Sequence, residues 1–256
     1  MTPQTPDAPM PRADLLGYPV DCVSLDDVLG QIEQRAPQDK NGPAQIVTLN
    51  PEMLMQGERN PQLARILKSA DWVIPDGAGV VWALQFLYGI KIARLPGIEL
   101  SEALLQKAAS QDWPVAIIGA ESSVLQAAIA SLTARYPGLK TVYHHHGFFP
   151  AGDDSLAVAK ACAEAKPKLV FVALGVPRQE TWIEEYRSLF DPSTILIGIG
   201  GSLDVWSGIK KRAPRFFLTL NLEWLYRITS EPWRLKRIYN TLPVFVVKVC
   251  LKRLGF

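Results

Sequence analysis

Six candidate strands, each four to seven residues long and most of them apolar, constrain this chain more than any other feature. They lie at Gln45–Asn50, Trp72–Pro75, Val115–Gly119, Leu139–His145, Leu169–Leu174 and Thr194–Gly200. Most are nearly continuous rather than alternating, as in strands covered on both faces. The intervals read at helical period: Leu25–Arg35, Pro61–Ser69, Val80–Tyr88, Ile98–Ala109, Ser122–Arg135, Leu156–Ala165 and Arg178–Leu189. This alternation predicts an α/β fold with a doubly wound, mainly parallel, Rossmann-like sheet. In such sheets ligands sit beyond the carboxyl ends of the strands. Here those ends carry polar residues or glycine: Thr48 to Asn50, Asp76-Gly77, Gly119, Gly147, Gly175 and Gly200 to Ser202. They are expected to border one crevice.

The chain has 256 residues, 48% of them hydrophobic and 20% charged, enough for one sizeable core and unlike a disordered or low-complexity sequence. Cys22, Cys162 and Cys250 are far apart and lack CxxC spacing, which speaks against a disulfide framework or a zinc site and for a reducing cytoplasm. Residues 1–13 are polar and proline-rich, without the apolar stretch of a secretory signal, and read as a disordered lead-in. No run approaches the roughly 20 apolar residues of a membrane span.

The net charge of +2 hides an asymmetry. From Val205 onward eleven Lys or Arg face only Glu223 and Glu231, so the tail carries +9 and the rest −7. The boundaries drawn are an α/β domain at 14–207 and a basic helical appendage at 208–256. The appendage shows helical segments near Arg215–Ile228, Pro232–Asn240 and Pro243–Leu254. In the last, Val244, Val247, Leu251 and Leu254 share one face, while Lys248 and Lys252 share another. Such a helix either lies on a membrane or packs on the sheet, and the basic excess favours an anionic lipid surface. The acidic body argues against a nucleic-acid partner.

Asp76, in IPDGAG straight after an apolar strand, has two readings: general base, or N-cap of the next helix. The segment Gly198 to Asp204 offers backbone N–H groups to a phosphate, although Leu203 replaces the third glycine of GxGxxG; a plain tight turn is the alternative. In Gly175-Val176-Pro177-Arg178-Gln179-Glu180 a helix opens after a buried strand, and Arg178 and Gln179 can point at a polar ligand. His144-His145-His146 would place only two rings on one face of a strand, which disfavours a metal triad. There is no DxD motif, P-loop, HExxH or nucleophile elbow.

Taken together, VTLNPEM, IPDGAG, ARLPG, ALGVPRQETWI and GGSLDVWSGIKKRAP…LEWLYRITSEPWRLKRI resemble the WecG/TagA/CpsF family of bacterial glycosyltransferases, in order from about Gly17 to about Tyr239. The resemblance implies inverting, metal-independent transfer of a sugar from a UDP-sugar to an undecaprenyl-diphosphate-linked N-acetylglucosamine. The sugar would be N-acetylmannosamine or a related hexose, and no cofactor is implied. By the same resemblance Asp76 is the general base, and Thr48, Asn50, Arg94 and Gln179 contact the sugar and diphosphate. Gly200, Gly201 and Asp204, with Gly147 and Phe149, would contact the nucleotide. Strand-end placement adds Gly77, Gly119, Gly175 and Arg178 as substrate-facing candidates. Arg227, Arg234 and Arg237 match arginines of the family's C-terminal appendage, implicated in membrane association and in completing the site. The implied location is cytoplasmic, peripheral on the inner face of the plasma membrane, and self-association stays open.

The chemistry is consistent with this reading. A departing UDP develops negative charge that must be stabilised, and without a metal that falls to arginines and helix N-termini. A nucleotide-dependent oxidoreductase lacks an intact glycine fingerprint here. A non-catalytic polysaccharide-assembly protein on the same fold would not need both Asp76 and Gln179.

Overall fold

The computed structural model describes residues 11–34, 42–214, 216, 217, 225, 226 and 234–256, with backbone alone at Arg234, Lys236 and Arg237. A hairpin of β1 (Arg12–Leu15) and β2 (Tyr18–Asp21) leads into α1 (Leu25–Gln34). Then follow β3 (Ala44–Leu49), α2 (Pro51–Arg59), α3 (Pro61–Ser69), β4 (Trp72–Pro75), α4 (Ala78–Tyr88) and α5 (Gly97–Ser110). The second half runs β5 (Pro114–Gly119), α6 (Ser122–Arg135), β6 (Lys140–His145), α7 (Asp153–Glu164), β7 (Leu169–Ala173) and α8 (Arg178–Tyr186). It continues through β8 (Ile195–Gly198) and the short α9 (Ser202–Trp206) to the long α10 (Arg234–Leu254).

Strands β3 to β8 form one parallel sheet in the order β4-β3-β8-β7-β5-β6. Alternate side chains of each inner strand enter opposite layers. Ile46, Ile117, Phe171 and Ile197 meet α1, α5, α6 and α9 on one face. On the other face Val47 and Leu49 meet α2, α3, α4 and α10, while Ile118, Val172 and Leu196 meet α7 and α8. Edge strand β6 alternates between exposed and half-buried residues, so the continuous apolar signature fades there.

Three features depart from the sequence expectations. Strand β1 opens at Arg12, inside the segment read as disordered. Leu16 and Gly17 turn the hairpin at φ 54° and 85°, the left-handed pair that a two-residue turn requires. The fully buried Asp21 carboxylate then fastens it, accepting from Arg12 Nε and from the Val73 N–H, each at 2.6 Å. Helix α2 was not expected, yet Asn50-Pro51 is a start signal: the Asn50 Oδ1 accepts the Met53 N–H at 3.0 Å and Pro51 takes the first turn.

The third departure is α10, one helix where two segments were expected, with Pro243 inside it. It buries Phe245 and Val249 completely in the cluster shared by α2 and α4. That packing outweighs the helix-breaking tendency of proline. The expected segment at 215–228 lies outside the described residues, apart from Phe216, Phe217, Leu225 and Tyr226. Among the described residues no helix is long and apolar enough to cross a membrane.

Candidate active site

A cavity of about 550 Å³ opens at the carboxyl ends of β3, β4 and β8. Strand β3 contributes Thr48, the cap of α2 just beyond it contributes Asn50, the end of β4 contributes Asp76 and Gly77, and the turn after β8 contributes Gly200 and Gly201. Gln179 enters from α8 and Arg94 from the loop before α5. Ile238, Thr241, Leu242 and Val246 of α10 form a largely apolar wall.

Local packing explains why these residues meet. The Asp76 N–H donates to Leu49 O at 3.0 Å, continuing the β3–β4 ladder to the residue itself. A Cβ at Gly77 would lie 2.6 Å from Pro51 Cδ, so only glycine lets α4 start against α2 and bring Asp76 toward Asn50. The N-cap of α4 is Gly77, so Asp76 is not that cap. Leu95 N–H donates to Pro75 O at 2.9 Å, which draws the Arg94 loop over the end of β4. Asn50 spends its oxygen on capping α2, so its Nδ2 is the part of the carboxamide left for a ligand.

Gln179 is 2% exposed but borders the cavity. Its Oε1 accepts the Gly200 N–H at 3.1 Å, and its Nε2 donates to Glu180 Oε1 at 2.7 Å. Burial raises the Glu180 pKa to about 7 against the hydrogen bonds that lower it.

Residues 13–256 match the sequence model of the glycosyl transferase WecG/TagA/CpsF family. The chain belongs to the WecG/TagA/CpsF family. Its relatives include an N-acetylglucosaminyldiphosphoundecaprenol N-acetyl-β-D-mannosaminyltransferase of Bacillus spizizenii, 38% identical over 211 residues, 82% of this chain and 80% of that one. A Staphylococcus aureus protein of the same name is 34% identical over 238 residues, covering 93% of this chain and 92% of its own.

The motifs that resemble the WecG/TagA/CpsF family divide between two places. VTLNPEM, IPDGAG, the ARLPG loop and Gln179 meet at the cavity. Gly119, Gly147, Phe149, Gly175, Arg178 and Asp204 are not among the described residues that line it. Arg178 instead turns toward the loop after β6, donating to Gly147 O and Phe149 O at 2.8 Å each and lying 4.8 Å from the centre of the Phe149 ring. Gly119 is a packing glycine: a Cβ there would fall 2.4 Å from Ala173 O. Asp204 pairs with Lys210 at 2.7 Å.

Among the described residues no three His, Cys, Asp or Glu side chains converge as a metal-binding group. Arg227 lies outside the described residues, as do the side chains of Arg234 and Arg237. Glu52, Trp82 and the α10 residues Ile238, Thr241, Leu242 and Val246 also line the cavity, whereas the resemblance gave the appendage a part in the site only through its arginines. The Asn-Pro helix start could have pointed to Glu52. Nothing local marks these α10 residues, because the helix packs on chain far earlier in the sequence, near Asp14, Glu58 and Leu87.

Proposed function

We propose that this chain is an inverting glycosyltransferase that moves N-acetylmannosamine or a related hexose from a UDP-sugar to undecaprenyl-diphosphate-linked N-acetylglucosamine. The observation that carries the reading is the cavity at the ends of β3, β4 and β8, which gathers Asp76 with Thr48, Asn50, Arg94 and Gln179. Family membership and the names of the Bacillus and Staphylococcus relatives support the acceptor and the sugar.

In this reading the Asp76 carboxylate removes the proton of the acceptor hydroxyl as its oxygen attacks the anomeric carbon. The bond to the UDP oxygen breaks on the opposite face, which inverts the configuration. Asp76 is then a protonated acid, and UDP leaves as the anion. Arg94 and the backbone N–H groups around Gly201 supply positive potential to the diphosphate. Thr48, Asn50 and Gln179 hold the sugar by hydrogen bonds. Arg227, Arg234 and Arg237 add charge from the tail, so that no metal is required.

A lipid-linked acceptor requires the enzyme to sit at the bilayer, on the inner face of the plasma membrane. The α10 stripe supports this: Val247 is 55% and Leu254 72% exposed, on the helix whose other face walls the cavity. Lys248 and Lys252 are paired with Glu58 and Asp14, so the apolar stripe rather than these two lysines is the surface offered to lipid.

The test is transfer of labelled sugar from a panel of UDP-hexoses to a short-chain polyprenyl-diphosphate N-acetylglucosamine, with EDTA present. One donor is expected to label the acceptor at an undiminished rate. No transfer from any UDP-sugar overturns the reaction, and strict dependence on added Mn²⁺ or Mg²⁺ overturns the metal-free mechanism.

A further inference from the structure

Glu180 is a buried carboxyl to which the mechanism above gives no part. It is 2% exposed, and its Oε2 has no hydrogen-bond partner. A fully ionised carboxylate in that setting is costly, because its one neutral amide partner does not offset the lost hydration. Its Oε1 is engaged by Gln179 Nε2 at 2.7 Å, while the other end of the same carboxamide accepts the Gly200 N–H. Both ends of the Gln179 side chain are thus specified, which selects one of its two flipped orientations. The second Nε2 hydrogen is the one left for a ligand in the cavity that Gln179 lines.

The strand beneath is adapted to this pair. A Cβ at Gly198 would lie 2.4 Å from Gln179 Nε2 and 3.0 Å from Glu180 Oε1. Glycine at the end of β8 therefore makes room for the two side chains. From β3, the buried Gln45 approaches the Glu180 carbonyl with its Nε2 at 3.5 Å, holding the first turn of α8 from the other side.

We infer that Glu180 is a positioning residue: its carboxyl oxygen fixes the Gln179 carboxamide so that one N–H faces the sugar-diphosphate and the oxygen secures the Gly200 turn. Burial, which raises the Glu180 pKa to about 7, keeps a proton available for Oε2 near neutrality and lowers the cost of leaving that atom without a partner. The inference rests on the reading of Gln179 as a substrate contact in the proposed transfer.

The test combines a double-mutant cycle with a spectroscopic readout, using the full chain. Gln179→Ala and Glu180→Leu are each expected to lower kcat/KM by roughly 10- to 100-fold, the scale of a misplaced contact. The double variant should be no worse than Gln179→Ala alone, because Glu180 acts only through Gln179. Glu180→Gln keeps an acceptor at Oε1 and should stay close to the parent. The ¹H–¹⁵N signals of the Gln179 carboxamide, assigned by their loss in Gln179→Ala, should stay dispersed in Glu180→Gln and collapse toward free-glutamine positions in Glu180→Leu. Losses that multiply in the double variant, or signals unmoved by Glu180→Leu, overturn the positioning role. A Gln179→Ala variant with full activity removes Gln179 as a contact and the inference with it. A parent protein that transfers nothing fails the functional reading instead, and the carboxamide signals still report whether Glu180 orients Gln179.

Discussion

Lys248 of α10 places its ammonium 3.0 Å from the Glu58 carboxylate at the end of α2. The same helix buries Phe245 and Val249 between α2 and α4, so the tail helix is fastened to the body by apolar burial with ion pairs at its rim. Phe245→Ala is expected to cost about 3–5 kcal/mol, the range for emptying a buried aromatic site. Lys248→Ala should cost less than about 1 kcal/mol, as for partly exposed pairs. Urea unfolding of both variants measures the contrast, and equal losses would show that the helix is held by charge.

The outward stripe of α10 should be separable from its packing. Deleting the whole tail would also strip Phe245 and Val249 from the core, so surface changes are the cleaner probe. Val247→Asp with Leu251→Asp is expected to abolish sedimentation with anionic vesicles while leaving the thermal transition in place. Parent binding should weaken with added salt, because basic residues near an anionic surface contribute on the order of 1 kcal/mol each and are screened within a Debye length. Undiminished sedimentation of the double variant would assign membrane contact elsewhere.

Arg178 joins α8 to the loop after β6 through two hydrogen bonds at 2.8 Å. Arg178→Ala should destabilise the fold by about 2 kcal/mol, the scale of a lost charge-assisted contact. Transfer measured well below the melting temperature should fall far less than in Gln179→Ala, since Arg178 does not line the cavity. Comparable losses of turnover in the two variants would bring Arg178 into the site.

Much of this architecture was legible from local pattern. The inner strands announce themselves because burial on both faces demands unbroken apolar runs, as in Val170 to Val172, whereas the edge strand β6 shows only alternation. The β1–β2 hairpin was not legible: its strands are four residues long, and its stability comes from Asp21 reaching Val73 in a distant strand. For the site, Asp76 and the β8 turn follow from their positions at strand ends, whereas Arg94 came only from the family resemblance. The partition between the cavity and the Arg178 cluster depends on strand order. That order puts β8 beside β3 and leaves β5 and β6 beyond β7, which no local pattern encodes.

Stability should also depend on pH through Glu180. Burial raises its pKa from an ordinary value near 4.5 to about 7. Between those values the unfolded chain releases the proton while the folded chain retains it. The stabilisation from this group is therefore complete below pH 4.5 and is lost as the pH rises through about 7. Glu180→Gln has no such titration, so its melting temperature relative to the parent should rise between pH 5 and pH 8. A constant difference across that range would contradict the raised value.

The proposed deprotonation of the acceptor by Asp76 is read in the turnover of Asp76→Asn with saturating UDP-sugar and acceptor. The amide is nearly isosteric but cannot accept the proton. A roughly 10²–10⁴-fold fall in kcat is expected, the usual contribution of a positioned base, with UDP affinity and melting temperature unchanged. Turnover within a few-fold of the parent would contradict it and remove Asp76 from the chemistry.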